Sequence, residues 1–153
     1  MIATITPAQL SGTIPAIASK SDAHRLLILA ALSHGETLLK MEQRSEDIDA
    51  TISCLRALGA LIEILPDGVV VRGIEQVNEN PLLDCGESGS TFRFLLPVAC
   101  ALCEHARFTG SGRLPERPIG ELMHVMQSHG VAFSAERLPF ATTGRLAGVD
   151  FSL

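Results

Sequence analysis

Two helix openings of the same kind, 68 residues apart, constrain this chain more than any other feature of its sequence. Ser19-Lys20-Ser21-Asp22-Ala23-His24-Arg25 runs straight into the apolar stretch 26–32, and Glu87-Ser88-Gly89-Ser90-Thr91-Phe92-Arg93 runs into 94–99, with Arg25 and Arg93 in matching places. Behind each opening come a strand-like segment and a second helix pattern that stops at a glycine, Gly59 and then Gly130, 71 residues apart. Two copies of one helix-strand-helix-hairpin unit, about 13–74 and 82–153, are therefore the expected organisation of residues 1–153. Alone, one unit would bury too little apolar surface. The two are expected to share a core, each laying two helices against a small sheet in an α/β (α+β) fold.

Local signals place the elements. Residues 2–6 alternate as a short strand would, and Ser19 or Ser21 caps a helix reaching about 33, with Ser19 and Asp22 spaced as a capping box and Gly35 as its stop. A strand is expected over 36–41. Ser45-Glu46-Asp47 opens the next helix, whose Ile48, Ile52, Leu55 and Leu58 share one face before Gly59. Strands 60–65 and 69–72 join across Pro66-Asp67-Gly68 as a hairpin. A helix over 88–102, a strand over 106–109 and a helix over 118–128 follow. The final alternating segment, 149–153, reads as a strand met mid-course, hence as part of a truncated chain or fragment.

Composition narrows the function. The chain is 46% hydrophobic, enough for a real core in 153 residues. A net charge of −5 speaks against broad nucleic-acid binding, which needs a basic face. No run of eighteen apolar residues and no signal-peptide pattern is present, so a soluble cytoplasmic protein without a membrane partner is expected. Cys54, Cys85, Cys100 and Cys103 form no secreted disulfide framework. Cys100 and Cys103, with His105 nearby, have metal-like spacing, but they lie in an apolar helical run where buried thiols are common; core packing is the reading, and no metal is expected.

An acidic chain that binds an anion needs fixed dipoles and a few placed cations. A helix start offers unpaired amides and about half a positive charge. Lys20 adds a mobile cation, Ser21 a hydroxyl, and Arg25 a guanidinium one turn in. At the second opening Gly89 lets a ligand approach the backbone, with Ser90 beside it and Arg93 one turn in. Arg117, just before a helix-starting Pro118, is a third cation able to swing over a helix end. Glu87 either caps a helix or holds an arginine. The five histidines show no ligand or dyad spacing, and surface or capping roles are expected for them.

Taken in order, Ser19-Lys20-Ser21 with Arg25 and Leu29-Ala30-Ala31-Leu32, Ser45-Glu46-Asp47 with Ala57-Leu58-Gly59, Gly86 through Arg93, and Glu116-Arg117-Pro118-Ile119 resemble the amino-terminal part of the 5-enolpyruvylshikimate-3-phosphate synthases. That resemblance implies βαβαββ units, two of them here, from one lobe of a two-lobed, monomeric shikimate-pathway enzyme with its site in the cleft between lobes. It implies transfer of the enolpyruvyl group of phosphoenolpyruvate to the 5-hydroxyl of shikimate 3-phosphate, releasing phosphate, with no cofactor. By motif, Lys20, Ser21 and Arg25 would bind shikimate 3-phosphate, and Lys20, Gly89 and Arg117 phosphoenolpyruvate, Lys20 being the catalytic residue. Ser90 and Arg93 would stand beside that site. Glu87 takes a place where many members have asparagine.

The resemblance also implies that later segments, among them a serine-serine-glutamine stretch, an acidic general base and further cations, complete the site, so that this chain alone is an inactive half. The related UDP-N-acetylglucosamine enolpyruvyl transferases carry asparagine after the lysine, and Lys20-Ser21 with Arg25 favours shikimate 3-phosphate. A freestanding anion-binding module without chemistry, or a half that works with a separately encoded lobe, are the alternatives.

Overall fold

The computed structural model describes residues 19–148, together with 4, 6, 7, 9 and 11–13. The strand expected over 2–6 falls mostly, and the segment at 149–153 wholly, outside the described residues.

Three helices begin at a serine, and for one reason. The hydroxyls of Ser19, Ser45 and Ser88 accept the amides of Asp22, Ile48 and Thr91 at 3.4, 3.4 and 3.2 Å, supplying a partner to donors that the helix itself leaves free. They start α1 (Lys20–Leu32), α2 (Glu46–Leu58) and α3 (Gly89–Leu102). Helix α2 stops where expected, at Gly59, whose φ of +119° few side chains tolerate. Helix α1 ends at Leu32, three residues before Gly35, with Ser33 as its cap. Pro97 lies inside α3, removing one amide from the ladder without ending the helix.

The last helix differs from expectation. It is α4 (Gly120–Gln127), not 118–128, preceded by a 3-10 turn at Leu114–Glu116. Arg117 is extended (φ −74°, ψ 130°), as a residue before proline prefers, and Ile119 at φ −134°, ψ 11° is still outside the helical range. Arg117 therefore closes a turn rather than abutting a helix start.

Strands β1 (Glu36–Lys40), β2 (Leu61–Leu65) and β3 (Gly68–Arg72) form an antiparallel sheet in the order β1-β3-β2, with Glu36 opposite Arg72 and Ile62 opposite Val71. A second sheet has the order β4-β5-β7-β6, built from β4 (Leu82–Asp84), β5 (His105–Thr109), β6 (Ala132–Phe133) and β7 (Phe140–Thr143). Strands β4 and β5 are parallel, so α3 between them is a crossover. Strand β4 is not visible as a sequence pattern, because three residues carry too little alternation. The order β5-β7-β6 repeats β1-β3-β2.

The two sheets and the helices enclose one continuous core. Leu27, Ile52, Leu55, Leu58 and Val71 are buried in its first part, Leu83, Phe92, Leu95 and Phe108 in its second. Phe92, Phe108 and Phe140 meet edge-on or tilted at 5.6–6.1 Å between ring centres, pinning α3 to the second sheet. All four cysteines are buried and free. Cys54 donates to the Asp84 carbonyl at 3.2 Å and Cys103 to that of Ala99 at 3.0 Å, and burial pushes the Cys100 and Cys103 thiols up. Leu26, Leu29 and Leu32 are exposed on α1. Among the described residues no helix is long and apolar enough to cross a membrane.

Gly59 and Gly120 make contrasting predictions. A Cβ at Gly59 would run into the backbone carbonyl of Gln76 and would sit at positive φ, whereas one at Gly120 meets nothing. Gly59→Ala is expected to lower unfolding free energy by about 2 kcal/mol or more. Gly120→Ala should be neutral or stabilising by up to about 1 kcal/mol, both read by urea denaturation.

Candidate functional site

The first residue of α1, the first turn of α2 and the first residues of α3 open into one cleft of about 270 Å³, lined by Lys20, Asp47, Gly89, Ser90, Arg93, Phe94 and Arg117. The capping serines dictate this, since each cap fixes where its helix, and hence its positive end, begins. Two guanidinium groups converge over Gly89. A Cβ there would lie 2.7 Å from Arg117 Nη1 and 2.8 Å from Arg93 Nη1, space that only a glycine leaves open. Arg93 is anchored by donating to the Gly89 carbonyl at 3.4 Å and the Pro118 carbonyl at 3.1 Å, which ties the 117–118 segment to α3.

Lys20, on the facing helix, forms an ion pair with Asp47. Burial alone would raise the Asp47 carboxyl; the hydrogen bond and charge of Lys20, helped by the Ser88 hydroxyl, outweigh it and hold that carboxyl below its ordinary value. Arg25 donates to the Ser21 carbonyl at 3.0 Å, and its guanidinium lies 5.4 Å from the centre of the Phe94 ring, a cation–π contact joining α1 to α3. Three cations and the start of α3, which has no acidic residue in its first turn, thus surround one carboxylate, an arrangement suited to a phosphate or carboxylate ligand.

Beneath the cleft lies a chain of buried polar groups. His24 Nδ1 and Thr51 Oγ1 share a hydrogen bond of 2.7 Å, Thr51 and Thr91 hydroxyls another of 2.7 Å, and Thr91 reaches Ser88 Oγ at 2.7 Å. The Asp47 carbonyl also lies 3.1 Å from Thr91 Oγ1 and 3.3 Å from Thr51 Oγ1, so each hydroxyl's single proton is shared between that carbonyl and its neighbour in the chain. All four side chains are solvent-excluded, and His24 Nε2 has no hydrogen-bond partner. Burial, then the charge of Lys20, holds the His24 imidazole below its ordinary pKa; Asp47 opposes this and Arg25 adds to it.

Of the residues singled out in the sequence, Lys20, Gly89, Ser90, Arg93 and Arg117 come together in the cleft. Ser21 and Arg25 flank it on exposed positions of α1. Glu87 lies outside the cleft lining and works on the backbone instead. Its carboxylate accepts the Arg113 amide at 3.1 Å, opening the 3-10 turn that leads to Arg117. His24 corrects the expectation of a surface or capping histidine. Its signal is its place on the stripe of Ala23, Leu27, Ala30 and Ala31, the face that α1 buries. Asp47, Phe94, Thr51 and Thr91 do not stand out as site residues in the sequence, because only the packing of three helices brings them to the site.

Residues 5–153 match the family model described as EPSP synthase (3-phosphoshikimate 1-carboxyvinyltransferase). The chain belongs to the EPSP synthase family. A 3-phosphoshikimate 1-carboxyvinyltransferase of Clostridium kluyveri is 36% identical over 151 residues, covering 97% of this chain and 35% of its own length. One from Clostridium perfringens is 35% identical over 153 residues, with 97% and 36% covered. The EPSP synthase of Acinetobacter baumannii superposes with a TM-score of 0.77 at 23% identity, over 92% of this chain and 34% of the other, so the two share a fold. The chain thus spans about a third of the length of the curated relatives it matches.

Two outcomes follow from the geometry of this cleft in the EPSP synthase family member. A Cβ at Gly89 meets side-chain ends of two arginines rather than backbone, so in Gly89→Ala stability should change by no more than about 1 kcal/mol while affinity for inorganic phosphate falls, as isothermal titration would show. Burial makes His24 harder to protonate in the fold, so the unfolded chain binds the extra proton first as pH falls through about 6.5, and the stability present above that point is progressively lost below it. Urea midpoints at about pH 7.5 and about pH 5.5 should therefore differ less in His24→Gln than in the unmodified chain.

Proposed function

We propose that the cleft between α1 and α3 is the anion-holding part of an enolpyruvyl transferase site. Shikimate 3-phosphate would lie along Lys20, Ser21 and Arg25. Phosphoenolpyruvate would lie against Lys20, Gly89 and Arg117, with Ser90 and Arg93 beside it. The observation that carries this reading is the convergence of Arg93 and Arg117 over Gly89 at the start of α3, with Lys20 facing them from α1. A ligand with both a phosphate and a carboxylate suits three separate cations, since charge-assisted hydrogen bonds are roughly twice as strong as neutral ones.

In the reaction named for the relatives, the 5-hydroxyl gives its proton to a base and its oxygen bonds to C2 of phosphoenolpyruvate as the methylene carbon takes a proton. The C2–O bond to phosphate in the adduct then breaks, phosphate leaving with the electron pair, and the methyl carbon gives a proton back to restore the double bond. Lys20 and Arg117 would compensate charge on the departing phosphate. Turnover is expected of this chain in company with the two thirds of its relatives' length that it does not span. The same reading carries a cytoplasmic, monomeric enzyme with small-molecule partners, and units at about 13–74 and 82–153, supported by the repeated strand order.

Titration with shikimate 3-phosphate should shift the amides of 20–25 selectively, and phosphoenolpyruvate those of 89–93, with a nucleotide sugar as control. A well-dispersed spectrum that does not move would count against the reading. Lys20→Ala should abolish the first set of shifts yet change stability by at most about 1 kcal/mol, since Lys20 itself is half exposed.

A further inference from the structure

The contact between α1, α2 and α3 would be cheaper to build from apolar side chains, because buried polar groups gain little net stability and cost much when a partner is lost. Yet His24, Thr51, Thr91 and Ser88 are solvent-excluded there and linked by three hydrogen bonds of 2.7 Å each. Apolar surfaces tolerate small slides between helices, whereas directional bonds of this length do not.

The linked atoms sit at the turns that carry the cleft. His24 is four residues after Lys20 on α1, and Thr51 is four after Asp47 on α2, bonded to Asp47's own carbonyl. Thr91 lies between Gly89 and Arg93 on α3 and bonds to the same carbonyl. Each helix is thus gripped within about one turn of the charged group it presents. We propose that His24, Thr51 and Thr91 are positioning residues for the anion cleft, with Thr51 as the central link that sets α1 against α2 and α3 so that Lys20 meets Asp47 and faces Arg93. The ligand rests on the binding reading above; the helix register does not.

The test uses the whole chain with Thr51→Val, which keeps shape and removes the hydroxyl, and Thr51→Ser, which keeps the hydroxyl. The Asp47 carboxyl is titrated by carbon NMR without ligand, and the affinity for inorganic phosphate is measured separately. In Thr51→Val the Asp47 midpoint should rise toward the ordinary carboxylate value and phosphate affinity fall about tenfold. Thr51→Ser should keep the depressed midpoint and stay within about twofold in affinity.

A folded Thr51→Val with Asp47 still depressed overturns the proposal. Should phosphate fail to bind even the unmodified chain while Asp47 rises in Thr51→Val, the positioning role stands and the binding reading falls. If Thr51→Val does not fold, Thr91→Val carries the same two readouts. If neither folds while Thr51→Ser does, the chain of hydroxyls serves cohesion alone, and the assignment is overturned.

Discussion

Three helices starting at one place create the electrostatic condition on which the rest of this structure depends. Each start carries partial positive charge, and like ends brought together repel unless something negative stands among them. Helix α2 meets the condition itself, with Glu46, Asp47 and Asp49 in its first turn, and α1 has Asp22. Helix α3 has no acidic residue in its first turn, and it is there that Arg93 and Arg117 add further positive charge over a bare glycine. The fold therefore concentrates its uncompensated charge at Gly89, in a protein whose net charge is −5.

Holding such a patch together requires a rigid base. Phe92, one turn into α3, is locked between Phe108 and Phe140 of the second sheet, so the start of α3 cannot retreat from the cations above it. On the other side Leu27, Ile52, Leu55 and Leu58 join α1 to α2 through apolar burial, each worth roughly 1.5–3 kcal/mol when fully enclosed. The sheets face away from the chemistry and act as the plate on which the helix starts are aimed.

Much of this was legible in local sequence. Serine caps at 19 and 45, the glycine stop at 59 and the Pro66-Asp67-Gly68 turn are local devices whose physics acts within four residues, whereas the sequence points to Glu87 as the candidate cap where Ser88 caps α3. What escaped the sequence depends on distance or brevity. Strand β4 is three residues long and exists because β5 pairs with it. Helix α4 starts late because Arg117 and Ile119 adopt non-helical backbone around Pro118. Lys20, Gly89, Ser90, Arg93 and Arg117 stood out as residue types, but Asp47, Phe94 and the His24–Thr51–Thr91 chain owe their place to contacts across 27 to 70 residues.

The Lys20–Asp47 ion pair sets the terms on which an anion could enter this cleft. Its cation is already engaged by a carboxylate of the protein, so an incoming anion enters by exchange rather than by addition. A small monovalent ion replacing one contact would gain little over Asp47. A multiply charged ligand that reached Lys20, Arg93 and Arg117 at once would offer more than the internal carboxylate can, and the pair would then act as a charge filter against the simple salts of the surrounding solution.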